Sequence, residues 1–215
     1  MYRYHLIIEY EGSNFIGWQT QKKGNSVQKT IQNTISKLLK KKIKLIGAGR
    51  TDTGVHAIEQ SAHFDTDIEI IDKKKLLNSL NFFLNKKLIS INSLQKKGMN
   101  FHSRYSAKFR IYKYVIFNRE SSPTIFKDRG WHIKKKLDIK ILEKGAKLLE
   151  GKKDFSTFRS SKCSAKSPIR KINYVKVKKN KKVIEIKFKS KSFLHQQVRS
   201  MVGCLKYLGE KKWDY

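Results

Sequence analysis

Residues 49–57 read GRTDTGVHA and separate two apolar runs, residues 43–46 and 57–64. Glycine and polar residues between two apolar runs predict a tight loop that connects two β-strands. One carboxylate, Asp52, and one arginine, Arg50, lie in this loop. Short polar loops on a sheet often carry catalytic groups, but an aspartate in a glycine-containing loop can also hydrogen-bond its own backbone. The loop alone therefore leaves a catalytic and a structural role for Asp52 open.

Helix and strand patterns extend on both sides of this loop. Ser26 and Asp72 each precede a segment in which apolar residues recur every three or four positions. Serine is a favourable N-cap residue, so we expect the first helix to begin after Ser26, and the apolar spacing predicts a second helix from about Asp72. Strands are expected at residues 2–10, where apolar and polar residues alternate, and at residues 88–94. The first half of the chain is thus predicted to run strand, helix, strand, strand, helix, strand.

The second half shows a similar alternation without an exact sequence repeat. We expect an α+β protein of two similar halves, residues 1–103 and 104–215, with helices on one face of one continuous, mainly antiparallel sheet. The elements expected in the second half are a strand at 108–118, a helix at 137–149 with Gly151 as its C-cap, a hairpin of strands 172–177 and 183–188, and a last helix that begins near His195.

The chain is strongly basic. It has 49 Lys and Arg residues against 17 Asp and Glu residues, a formal net charge of +32. Such a charge predicts a polyanionic partner, nucleic acid above all. Most of the basic residues are lysines, and lysine, isoleucine and asparagine are abundant throughout, so part of the charge reflects overall composition. Lysine clusters at residues 40–44 and 134–136 are candidate phosphate contacts, with solvated surface as the alternative.

Several classes of protein are excluded by what the sequence lacks. The two cysteines form no CxxC pair, which fits a reducing cytoplasm. The N-terminus has no signal-peptide pattern, and no apolar run approaches membrane-spanning length. None of the six histidines has the spacing of a metal site, and no glycine-rich phosphate loop is present. We therefore expect a cytoplasmic protein without a metal or a nucleotide cofactor.

Two further stretches carry side chains suited to chemistry. In RIYKYVIFN, residues 110–118, strand alternation puts Tyr112 on one face, where it is either a half-buried core residue or an active-site residue. In DFSTFRSSKC, residues 154–163, Phe155 and Arg159 suit a stacked RNA base and a phosphate contact. Phe155 could equally fill the core.

A third stretch, FLHQQVR at residues 193–199, is expected to open the last helix. His195 and Arg199 are one helical turn apart and should lie on one side of it. Arginine is a notable choice in a chain so rich in lysine. Its planar guanidinium can hold a carboxylate through two hydrogen bonds, which lysine cannot do.

Four stretches together, in order and spacing, resemble the tRNA pseudouridine synthase A family. They are GRTDTGVHA, RIYKYVIFN, DFSTFRSSKC and FLHQQVRSMVGCL. Weaker support comes from WQTQ at residues 18–21, SVQ at 26–28 and FHSRYSA at 101–107. The resemblance covers essentially the whole chain. Members of the family usually continue past the position of Tyr215, so by comparison the C-terminus is expected to be shortened.

The resemblance implies an activity and a set of catalytic residues. Members of this family convert uridines 38–40, in the anticodon arm of tRNA, into pseudouridine without a metal or an organic cofactor. Their essential aspartate, here expected to be the nucleophile, corresponds to Asp52, their active-site tyrosine to Tyr112, and the arginine that partners the aspartate to Arg199. Arg50 corresponds to the arginine that helps to displace the target base.

The resemblance also implies partners. Members are usually homodimers with a basic active-site cleft in each subunit, between the two halves of the chain, and with tRNA contacting both subunits. Besides Arg50, we take His195, Phe155 and Arg159 as candidate RNA contacts.

Two alternatives stay open. A catalytically inactive RNA-binding protein, such as a tRNA chaperone, could keep the fold and the charge, although the intact Asp52, Tyr112 and Arg199 argue against it. An enzyme of the same class could also act on other RNA uridines.

Overall fold

The structure, a computed structural model, describes residues 1–214. Tyr215, the last residue of the end expected to be shortened, lies outside the described residues. The chain divides into two compact units, unit 1 (Met1–Ala107) and unit 2 (from Lys108 onwards), and each has a hydrophobic core of its own. The assignment of domains to residues 1–103 and 104–215 stays a prediction, because compactness alone does not show that a unit folds by itself.

Unit 1 is a four-stranded antiparallel sheet with two helices. Its elements are β1 (Tyr2–Tyr10), α1 (Val27–Leu39), β2 (Leu45–Gly47), β3 (Ala57–Thr66), α2 (Lys73–Leu84) and β4 (Ile89–Lys97). The strand order is β2-β3-β1-β4. Alternate residues of β1, from Tyr4 to Tyr10, are buried with the apolar stripes of both helices, so the helices cover one face of the sheet. The predicted order of elements is confirmed.

The N-cap expected at Ser26 is confirmed, and the structure adds one at Asp72. The Ser26 hydroxyl accepts a hydrogen bond from the backbone N–H of Lys29 at 3.2 Å, and the Asp72 carboxylate accepts one from Lys75 N–H at 2.8 Å. Each cap satisfies a backbone donor that the first helical turn leaves unpaired.

Unit 2 is a five-stranded sheet with two helices. Its elements are β5 (Arg110–Asn118), β6 (Trp131–Ile133), α3 (Ile139–Leu148), β7 (Gly151–Asp154), β8 (Ile169–Asn180), β9 (Val183–Ser190) and α4 (Gln197–Gly209). The strand order is β6-β5-β9-β8-β7, and all pairs are antiparallel except β5 with β6. Both helices contribute apolar residues to the core on one face of the sheet. The α+β class and the mainly antiparallel pairing are confirmed.

The structure differs from the expectation in three places. The strand pairs of the described part of the chain form two sheets, one in each unit, in place of one continuous sheet. Alternation in a sequence reports which face of a strand is buried and not which strand it pairs with, so it could not distinguish the two arrangements. Gly151 does not cap α3, whose C-cap residue is Leu149; Gly151 has φ +96° and is the first residue of β7. The short strands β6 and β7 were not predicted.

No helix within residues 1–214 has the length and apolar character needed to cross a membrane.

A buried histidine ties residues 101–106 to the sheet of unit 1. His63 of β3 is fully buried, and its Nδ1 accepts a hydrogen bond from the backbone N–H of Ser103 at 3.2 Å. Because an N–H group can only donate, Nδ1 carries no proton and the ring is neutral. Burial, followed by the positive charge of Arg3, lowers the pKa of His63 to about 4.

Arg3 holds the neighbouring residues. Its guanidinium forms two hydrogen bonds of 2.7 Å with the carboxylate of Asp65 and donates to the backbone carbonyls of Met99 and Phe101 at 2.7 and 2.6 Å. A bidentate arginine-carboxylate pair of this kind fixes the guanidinium plane. Arg3 therefore holds the turn after β4 at two positions, Met99 and Phe101.

We expect the stability of the protein to fall as the pH drops from about 6.5 to about 4. His63 binds a proton near pH 6.5 in the unfolded chain but only near pH 4 in the folded one, so over this interval protonation favours the unfolded state. The loss amounts to about 3 kcal/mol from this side chain. Urea denaturation between pH 4 and pH 7.5 measures it.

In the variant His63→Gln this part of the pH dependence should disappear. His195→Gln, which changes an exposed histidine, is the control and should keep the wild-type profile. An unchanged profile in His63→Gln would contradict the assignment.

Candidate active site

The loop predicted between two strands is confirmed as the connection from β2 to β3. Asp52 is half-buried in it and Arg50 is exposed. The Val55 N–H donates to the Asp52 carbonyl at 3.2 Å, and Gly54 has φ +77°, so the chain makes a tight turn directly after Asp52. The carboxylate is thus carried by a turn and not by a long flexible segment.

Side chains and backbone groups outside the loop fix both of its ends. The Tyr10 hydroxyl lies 2.8 Å from the Thr51 hydroxyl, and the backbone N–H of Trp18 donates to the Thr51 carbonyl at 3.1 Å. On the β2 side, the amide of Gln60 donates to the Gly49 carbonyl at 2.7 Å. The residues on either side of Arg50 are therefore held by three separate hydrogen bonds.

Two glycines allow residues 12–18 to approach the loop closely. A Cβ at Gly12 would lie 2.1 Å from the carbonyl oxygen of Val55, and one at Gly17 would lie 2.5 Å from that of Thr51. Both distances are well below van der Waals contact. Gly17 also has φ +104°, a conformation that other residues rarely adopt. The two glycines before Trp18 were visible in the sequence, but the sequence did not show that they contact the Asp52 loop.

The predicted tyrosine of unit 2 lies on β5. Tyr112 and Tyr114 face the same side of the strand, and the Tyr112 ring meets the ring of Phe193 edge to face at a centroid distance of 5.2 Å. Burial raises the pKa of the Tyr114 phenol, and the nearby positive charge of Arg199 opposes that rise. The charge of Arg199 therefore acts on Tyr114, the neighbour of Tyr112 on this strand face.

One detail of the predicted last helix is wrong. Helix α4 begins at Gln197 and carries Arg199 in its first turn, but Gln196, its N-cap residue, has a left-handed backbone with φ +60°. His195 therefore precedes the helix, and it does not share a helical face with Arg199. Both side chains are exposed.

The two candidate RNA contacts in the polar segment at residues 154–163 differ in exposure: Phe155 is buried and Arg159 is exposed. Phe155 is a core residue of unit 2 with 2% of its surface exposed, so its burial corrects the proposed base contact and supports the alternative that it fills the core. Arg159 is exposed. The backbone N–H of Ser160 donates to the His195 carbonyl at 3.0 Å, which brings the Arg159 segment next to the start of α4.

Among residues 1–214, no group of three or more histidine, cysteine, aspartate or glutamate side chains is placed to hold a metal ion. What the geometry offers chemically is a carboxylate on a fixed turn in unit 1, and a tyrosine and an arginine near one strand face in unit 2.

Comparison with known proteins assigns the chain to a family. The sequence profile described as tRNA pseudouridine synthase matches residues 6–106 and 146–215. A tRNA pseudouridine synthase A from Pelagibacter ubique is 61% identical over 214 residues, which cover 100% of this chain and 87% of that protein. The proteins of the same name from Neorickettsia sennetsu and Anaplasma marginale are 42% and 40% identical, over 94% and 96% of this chain and 84% and 85% of theirs.

The chain belongs to the tRNA pseudouridine synthase family. This membership confirms the resemblance drawn from the four motifs and the isomerase class predicted from it. The two matched ranges contain Asp52 and Arg199, whereas Tyr112 lies between them, in a region that the alignment with the Pelagibacter ubique protein spans. The roles of these three residues stay predictions.

We expect Gly17→Ala to cost more stability than Gly54→Ala, although both glycines have positive φ. The added methyl group at Gly17 meets a backbone oxygen 2.5 Å away, whereas at Gly54 nothing lies within 4 Å. Gly54→Ala should therefore cost only the backbone strain, about 1 kcal/mol, and Gly17→Ala should cost at least about 2 kcal/mol more. Urea denaturation of the two variants tests this, and equal losses would contradict the close approach.

Proposed function

We propose that this protein isomerises uridines 38–40 in the anticodon arm of tRNA to pseudouridine, with Asp52 as the nucleophile. The observation that carries the proposal is the Asp52 loop: a carboxylate on a turn whose flanking residues are fixed by hydrogen bonds, within the range that matches the family profile. The choice of positions 38–40 rests on the resemblance of the motifs.

The chemistry requires an ionised carboxylate and no redox partner. The bond between N1 of uracil and C1′ of ribose breaks, the base turns, and a bond forms between C5 and C1′. The proton on C5 leaves and N1 gains one, so product and substrate have the same composition. Attack by a carboxylate on the nucleotide, or its stabilisation of a cationic sugar, lowers the barrier for breaking the first bond.

The target base is stacked in the anticodon arm and must leave the stack before a carboxylate can reach it. We assign this displacement to Arg50. Its exposed position two residues before Asp52 supports the assignment, because a long cationic side chain can occupy the space that a base leaves.

Tyr112 and Arg199 complete the proposed set. Tyr112 packs on the uracil face and takes part in moving the C5 proton, and Arg199 hydrogen-bonds an anionic group through its planar guanidinium. The positive charge of Arg199 acts against the rise in the pKa of Tyr114, which shares a strand face with Tyr112, and this supports a joint role for Tyr112 and Arg199.

Asp52→Asn should lower the rate of pseudouridine formation by at least about a thousandfold while tRNA affinity stays within a few-fold. The amide keeps the size of the side chain but cannot act as a nucleophile. The assay incubates purified protein with unmodified tRNA that carries uridine at 38, 39 and 40 and maps pseudouridine by chemical labelling. Glu59→Gln, which neutralises an exposed carboxylate on β3, is the control.

Wild-type protein that binds tRNA tightly without forming product would favour the inactive RNA-binding alternative. Product at other uridines would correct the positions and keep the chemistry. A fully active Asp52→Asn variant would refute the role of Asp52.

Arg199→Lys should reduce the rate about tenfold or more, because lysine keeps the charge and loses the two parallel hydrogen bonds. Single-turnover rates at saturating enzyme separate this effect from binding, which is followed by the Kd for tRNA. A variant with the wild-type rate would exclude a bidentate role for Arg199.

A further inference from the structure

The outer face of the unit 2 sheet gathers lysines from three strands. In the observed register, Lys113 of β5 lies opposite Lys187 of β9, which in turn lies opposite Lys176 of β8. Together with Lys189 they form what we call the lysine face. The residues that alternate with them along β8 and β9, such as Val175, are buried in the core that contains α3 and α4, so the lysines point away from the helices.

This arrangement concentrates positive charge at a cost to folding. Like charges directly opposite each other on neighbouring strands are destabilising, and Lys113, Lys187 and Lys176 stand in one row. Glu185 is the one acidic residue in β5, β8 and β9, and it forms an exposed ion pair of 3.2 Å with Lys113. Three lysines against one glutamate leave the row with a net positive charge, and the exposed pair contributes little to stability.

Aromatic rings lie within the same face. The Lys189 ammonium is 4.1 Å from the ring centre of Phe109, which is 48% exposed. The Tyr174 ring has Lys176 at 5.1 Å and Lys189 at 5.8 Å. Flat rings interleaved with cations are the usual composition of surfaces that bind nucleic acid through phosphates and stacking.

One end of the outer face is covered and the other is open. Phe117, further along β5 on the same side, is buried and stacks on Phe126 at 6.2 Å. Ile111, at the end near Lys189, is well exposed. A ligand therefore has access to the lysine end of this face.

We propose that the lysine face, on the opposite side of the unit 2 sheet from Tyr112, binds the sugar-phosphate backbone of the tRNA substrate. The inference rests on the proposed function for its substrate. A polyanion neutralises the row of lysines, whereas a second copy of this chain, with a net charge of +32, adds more positive charge. Because lysine contacts phosphates without reading bases, the face raises affinity for every tRNA alike and does not select the position modified.

The test compares two triple variants with the same change of charge. Lys113→Gln, Lys176→Gln and Lys187→Gln together remove the row, and Lys73→Gln, Lys74→Gln and Lys75→Gln remove three exposed lysines from α2. The Kd for unmodified tRNA is measured by fluorescence anisotropy over a series of KCl concentrations. The first variant should bind at least about tenfold more weakly at physiological salt, and its log Kd should depend less steeply on log salt, by about 2 in slope. The control should lose less than about threefold.

A third variant works in the opposite direction. Glu185→Gln removes the acidic residue of the face and should tighten tRNA binding several-fold. Glu185→Gln also tests the proposal if the triple variant fails to fold. We expect the triple variant to fold, because relief of like-charge repulsion predicts a thermal midpoint no lower than that of the wild type.

Each outcome bears on the proposal. Equal losses in both triple variants would show that only net charge matters and would overturn it, as would an unchanged Kd in the first triple variant or in Glu185→Gln. A changed oligomeric state with unchanged tRNA affinity would identify a second copy as the occupant and also overturn it. Binding is measured without turnover, so a wild type that forms no pseudouridine would count against the proposed function alone.

Discussion

The arrangement of unit 1 depends on the close contact between residues 12–18 and the Asp52 loop. Gly12 and Gly17 stand where any side chain would overlap with the carbonyl oxygens of Val55 and Thr51. The loop is therefore held by backbone against backbone, with the Trp18 N–H as a donor. Such contacts have few alternative geometries, because neither partner has rotatable side-chain bonds. A reacting carboxylate benefits from this, since small displacements from the productive geometry cost large factors in rate.

Local signals in the sequence predicted much of this fold. Ser26 and Asp72 act as N-caps within one turn of the donors they satisfy, so neighbouring residues contain all the information. The strands that were missed lack such signals: β6, Trp131–Ile133, has three residues and owes its place to a parallel pairing with β5. The positive φ of Gln196 was equally invisible, and it is the reason that His195 and Arg199 do not share a helical face.

In the candidate site too, some residues were predictable from local sequence and others were not. The Asp52 loop was recognisable because its chemistry and its strand-loop-strand context are contiguous, and Phe155 could not be assigned because an aromatic residue in a polar segment serves either a core or a ligand. Burial decided that case. His63 was not predicted to matter: burial and the charge of Arg3 keep it neutral, and its hydrogen-bond partner Ser103 is forty residues away. The residues near position 63 in the sequence do not indicate that partner.

Composition alone does not indicate which lysines lie together on one surface, whereas the pairing register of the strands does. The clusters at residues 40–44 and 134–136 are contiguous in sequence, and Lys41 in the first is paired with Asp67 at 2.9 Å, as expected of an exposed charge with a neighbour of opposite sign. Lys113, Lys176 and Lys187 are far apart in sequence, and folding brings them into one row against their mutual repulsion. Like charges directly opposite each other on neighbouring strands are destabilising, so such a row lowers the stability of the free protein. A row that persists with one acidic residue beside it is better explained by a polyanion that completes it.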